Sequence, residues 1–108
     1  MIARGRIFNV GDEIAYTERE WLGFVKDAAK WQGEIKVLPD ADVPETFGLG
    51  GNPEHHIFAD TRAIRHDLGY ADPFNLATSL ERTIAWERKN LATEPTDYTV
   101  EDAILNRM

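Results

Sequence analysis

Ile57-Phe58-Ala59-Asp60-Thr61-Arg62-Ala63-Ile64-Arg65-His66-Asp67-Leu68-Gly69-Tyr70 is the stretch that decides how this chain of 108 residues is organised. Asp60 is a good N-cap, because its carboxylate can accept from a free amide at a helix start. A short helix is expected from there through Leu68, with Gly69 as its C-terminal stop. Ile64 and Leu68 are four apart and face the core, while Arg62 and Arg65 are expected in solvent. Asp72-Pro73 marks a turn. Asn75 can then cap a helix from Leu76 to about Asn90, with Leu76, Leu80 and Ile84 as its stripe and Ala77 alongside. Tyr70 and Trp86 are expected as covers over this helix pair.

Upstream, Arg6-Ile7-Phe8-Asn9-Val10 is expected to be a short strand ended by Gly11-Asp12. Tyr16 to Trp31 is expected to be a helix. Thr17 and Glu20 have capping-box spacing. Trp21, Phe24, Val25 and Ala28 recur at helical spacing, Leu22 and Ala29 widen the stripe, and Gly33 is the expected stop. Glu34-Ile35-Lys36-Val37-Leu38 alternates polar and apolar, as a half-buried strand does. Strand, helix and strand together predict a βαβ crossover and an α/β fold. Two strands are marginal alone, so further partners are expected. Pro39 to His55 has no period, three prolines and a Gly48-Leu49-Gly50-Gly51 cluster. Loops of that length are usually functional or ordered by something else.

Composition bounds the function. The formal net charge is −7, from 19 acids and 12 bases, with no basic run. Nucleic-acid and anionic-membrane binding both want a basic patch, so neither is expected. There is no cysteine, which excludes disulfides, thiolate metal sites and a cysteine nucleophile. No apolar run approaches the ~20 residues of a membrane span. Arg4 and Arg6 are not followed by the apolar stretch of a signal peptide. A cytoplasmic protein is expected.

Taken in order, Phe8-Asn9-Val10-Gly11, the helix and Ile35-Lys36-Val37 segment after it, Asp60-Thr61-Arg62-Ala63-Ile64, Leu68-Gly69-Tyr70 and the helix closing near Trp86 resemble one known pattern. It is the C-terminal end of an extended short-chain dehydrogenase/reductase, the NAD-dependent epimerase/dehydratase family. The resemblance runs from about Gly5 to Asn90. It implies a substrate-side α/β piece over residues 1–90, with two longer helices and shorter ones and no dinucleotide-binding Rossmann core. Residues 91–108 are then a polar tail. Thr99 with Asp102 can cap a final turn there carrying Val100, Ala103 and Ile104, loosely held or packed on a partner.

The catalytic half of that pattern is missing. The family's Gly-x-x-Gly-x-x-Gly turn, in which glycines let backbone approach a pyrophosphate, does not occur. Pro53 stands where Gly48, Gly50 and Gly51 would need a companion. The Tyr-x-x-x-Lys pair is also absent, since Tyr16, Tyr70 and Tyr98 are followed four residues on by Glu20, Phe74 and Asp102. A tyrosine without a lysine to lower its pKa is a poor acid or base near neutrality. No catalytic residue, bound cofactor or metal is therefore expected in this chain, and NAD or NADP is implied for the full enzyme.

Three residues are candidate substrate contacts. Asn9 ends the first expected strand, where ligand crevices of α/β proteins sit, although an Asn there also satisfies local backbone groups. The resemblance places His55 and His56 where nucleotide-sugar members carry basic residues. A shared metal at His55 and His56, with Glu54, Asp60 and His66 near in sequence, is disfavoured. Neighbours on an extended chain point to opposite faces. Family members that act on nucleotide sugars usually grip the diphosphate with an arginine before the Asp60 element. None lies between Arg19 and Arg62, and the loop carries Asp40, Asp42, Glu45 and Glu54 instead. A neutral sugar, a sugar acid or a small hydroxyl or carbonyl compound is the easier substrate.

The expected function is thus the substrate-binding part of an epimerase, dehydratase or reductase for a sugar-like compound, inactive alone. The expected partners are the absent Rossmann half and further copies of the chain, meeting through uncovered apolar surface. The competing expectation is a stand-alone module of the same origin that binds a small ligand or a protein at the Gly48–His56 loop. A metal-dependent enzyme using the histidines is the third.

Overall fold

The computed structural model describes residues 3–48 and 57–108. Four α-helices follow in order: α1 (Glu18–Ala29), α2 (Arg62–Leu68), α3 (Leu76–Lys89) and α4 (Thr99–Leu105). Two single turns of 3₁₀ helix, Asp40–Asp42 and Glu45–Phe47, lie between α1 and α2, each directly after a proline.

The helix ends follow from local chemistry. Thr17 Oγ1 accepts from the Glu20 amide at 3.2 Å, and Glu20 Oε2 accepts from the Thr17 amide at 2.8 Å. This completes a capping box at the start of α1. The Asn75 side chain accepts from the Thr78 amide at 2.8 Å and starts α3. Gly69, at φ 64°, ends α2 in the left-handed region, where glycine has no Cβ to clash. The end of α1 differs from the expected stop at Gly33. It comes at Lys30, which takes φ 53° and returns its amide to Asp27 O at 3.1 Å.

The α/β expectation is overturned. Among the described residues there is no strand and no sheet. Arg6–Val10 and Glu34–Leu38 carry no strand and no ladder among the described residues, so neither forms an arm of a βαβ unit. An extended segment becomes a strand only when a neighbour takes its amides and carbonyls and its side chains gain a face to cover. Ile7 is 98% exposed and Val37 61%. In the second segment Ile35 and Leu38 are half-buried while Val37 is not, a spacing of three that suits no pleated surface.

Packing is sparse. Among the described helices, α1 and α3 are the pair that pack on each other. The buried residues are Thr61, Ile64, Leu80 and Ile104. Leu76 and Ile84 flank Leu80 half-buried, as the stripe requires, but Ala77 is exposed. Trp86 is 61% exposed and not the buried cover expected of it. Ile104 gives α4 an anchor at 6% exposure. The radius of gyration is 18.3 Å, against about 13 Å for a compact domain of this length. The accessible surface is 9891 Å², well above the roughly 6,100 Å² that folded monomers of this mass show.

Candidate functional site

Asn9 lies on a six-residue bridge pinned to α2 at both ends. At one end Arg6 forms an ion pair with Asp67, and its guanidinium sits 4.6 Å from the Phe8 ring centroid. At the other end Arg65 Nη2 donates to the Gly11 carbonyl at 3.0 Å. Gly11 also comes close to Ala59 and Thr61, with 3.8 Å from either side chain to the position its Cβ would occupy. Asn9, between these tethers, is exposed.

Arg65 organises this node and is not the solvated residue its sequence context predicts. Its side chain is 17% exposed. Nε donates to Thr61 Oγ1 at 3.0 Å, and Nη2 donates to both Asp72 oxygens at 3.2 and 3.1 Å. The guanidinium lies 5.4 Å from the Tyr70 centroid, close enough for a cation–π contact. Tyr70 is thereby a platform for Arg65. The signal that sequence reasoning missed is long-range, because Gly11 lies 54 positions from Arg65. The nearer hint was Asp72, placed to meet an arginine across the turn that follows α2.

The N-cap of α2 is Thr61 and not the expected Asp60, which lies one residue earlier; Asp60 still accepts from the Arg62 amide at 3.0 Å and from the Arg62 guanidinium at 2.6–3.0 Å. The guanidinium and the amide together lower the Asp60 carboxyl to about 2. Arg62 is otherwise in solvent, as expected, with 91% of its side chain exposed. His66 Nδ1 lies 2.8 Å from Asp67 Oδ1, and the contacts with His66 and then Arg6 lower the Asp67 carboxyl.

His55 and His56 lie outside the described residues, so Asn9 is the candidate contact whose position is defined. Among the described residues no three His, Asp or Glu side chains gather as metal ligands would. Asp60 and His66, named with the histidines as possible ligands, are each engaged with a neighbour, Arg62 and Asp67. The node has no nucleophile–base pair. Its arginines are held by carboxylates and a backbone carbonyl, an arrangement that positions the chain.

The chain is similar to dTDP-glucose 4,6-dehydratase from Streptomyces griseus, with 28% identity over 88 residues. The matched region covers 80% of this chain and 24% of the dehydratase, so the chain spans about a quarter of the length of that relative. No family model and no solved structure matches the chain. No helix among the described residues is long and apolar enough to cross a membrane.

Proposed function

We infer that this chain is the C-terminal, substrate-side part of an NAD(P)-dependent enzyme that modifies a sugar-like compound, and that it carries no catalytic residue of its own. The observation that carries this reading is the match to about a quarter of a sugar-modifying dehydratase. Two further features support it. The Gly-rich turn and the Tyr-x-x-x-Lys pair are both absent from the sequence, so hydride transfer and the accompanying proton transfer belong to another polypeptide segment. The surface exceeds that of a self-sufficient domain by roughly 3,800 Å², the scale of an obligate interface.

In this reading the pinned bridge holds Asn9 at one wall of the substrate pocket, and His55 and His56 are further substrate contacts. NAD or NADP is held by the absent half. That half and a second copy of the chain cover exposed residues such as Ile7, Ile57 and Phe58. The arginine-free interval from Glu20 to Thr61 favours a neutral sugar or sugar acid over a nucleotide diphosphate, even though the relative's name specifies a dTDP-sugar.

The test is the coding sequence upstream of Met1, followed by expression with and without it. An in-frame continuation bearing the glycine-rich turn and Tyr-x-x-x-Lys, with NADH binding only in the longer product, is the expected result. A stop codon immediately upstream, with no such sequence in the operon, would instead make the chain a free-standing ligand- or protein-binding module. NADH binding by the 108-residue chain alone would refute the division of labour.

A further inference from the structure

A second feature shares no residue with the Arg65 node. An open groove of about 470 Å³ lies along the last turns of α1 and is lined also by Arg88 of α3. Its apolar wall includes Val25, Trp31 and Ile35, and its cations are Lys26, Lys30 and Arg88. We propose that this groove binds a small molecule with a planar apolar body and one anionic group.

Charge is the first support. The chain carries a net charge of −7, yet three cations and no carboxylate line this groove. Among the described residues none of the three forms an ion pair, and the neighbouring Glu34 is bonded to Lys36 at 2.8 Å. Lys26 in the last turn of α1 and Lys30 at its C-cap both line the groove, and like charges held close together repel. Their proximity is relieved partly by the negative end of α1 and would be relieved further by an anion.

Shape is the second support. Trp31 is laid back against Gly33, so that a Cβ at that glycine would fall 1.8 Å from the ring. Lys26 Nζ lies 5.8 Å from the centroid of the Trp31 ring system. Arg88 Nη2 donates to the Ala29 carbonyl at 2.7 Å, which holds its guanidinium against the groove lining. One flat aromatic wall beside three cations matches a ligand that stacks by one part and pairs by another. The volume is that of an ordinary small-molecule site.

The test is a titration of the 108-residue chain with 2-naphthalenesulfonate, followed through the indole NH signal of Trp31, assigned with Trp31→Phe. The expected result is a saturable shift of that signal and about tenfold weaker binding of the neutral naphthalene-2-methanol. Lys26→Gln should weaken the sulfonate about fivefold, the scale of one lost surface ion pair. Lys30→Gly should weaken it similarly. That variant also relieves the left-handed backbone at residue 30, so its effect cannot be ascribed to unfolding. Equal affinity for the neutral probe would overturn the proposal. So would unchanged affinity in both variants, or a parallel shift of Trp86, which faces away from Arg88 on α3.

Discussion

Replacing Arg65 by Met keeps the apolar stem and removes the guanidinium, so it isolates the clamp on the Asn9 bridge. The bond to the Gly11 carbonyl is charge-assisted and half-buried, and is assigned about 1.5 kcal/mol. The Thr61 bond and the Tyr70 contact add about 0.5 kcal/mol each. The Asp72 pair is discounted to about 0.5 kcal/mol, because Asp72 is 41% exposed. Together these predict a loss of about 3 kcal/mol, concentrated in one place. Hydrogen exchange should quicken in residues 6–14 and 62–68 and stay unchanged in α1 and α3, which share no bond with the node. Arg65→Lys should recover little, since an ammonium cannot span Thr61, Gly11 and Asp72 as a planar fork does. A Met variant within about 0.5 kcal/mol of the parent, with unaltered exchange in both segments, would refute the clamp.

Other outcomes follow from single contacts. Thr17→Ala should cost about 1 kcal/mol in urea denaturation, since it deletes one half of the capping box. Lys30→Gly should stabilise the chain by about 1 kcal/mol in the same assay, by removing a Cβ from a left-handed position. Gly33→Ala should push the Trp31 ring off its seat and change its fluorescence, whereas a spectrum identical to the parent's would mean the ring never lay there. Asp60 has a depressed carboxyl pKa, so its contribution to stability is present above its unfolded value near 4 and is lost as pH falls towards about 2. Carbon-13 titration of the Asp60 carboxyl should show this, and Asp60→Asn should reduce the pH dependence of α2 over that window to the part carried by Asp67.

The sequence was legible where a structural decision is local. The Thr17–Glu20 box, the Asn75 cap and the Gly69 stop each depend on bonds reaching three to six residues, so residue types at fixed spacing suffice. Arg6–Val10 and Glu34–Leu38 show the opposite case. Alternation says that a segment would present an apolar face, but not that another strand stands beside it, and none does among the described residues. Trp86, exposed where a cover was expected, fails for a similar reason. Arg65 was misjudged because an arginine on an exposed-looking helix face reads as solvated until a carbonyl from a distant segment reaches it. Of the candidate contacts, Asn9 was expected at the end of a strand; it lies instead on an unpaired bridge tied to a helix.

The bond from Arg65 to Gly11 also closes a ring of chain more than fifty residues around, and the entropy of that closure depends only logarithmically on its circumference. Ten residues inserted after one of the 3₁₀ turns would raise the closure cost by only about 0.2 kcal/mol. Asn9 would stay where Arg6 and Arg65 hold it while the intervening stretch changed length. The position of the bridge and the length of the chain between Gly11 and Arg65 are therefore free to vary separately, since the bridge is fixed by a few polar bonds at its ends.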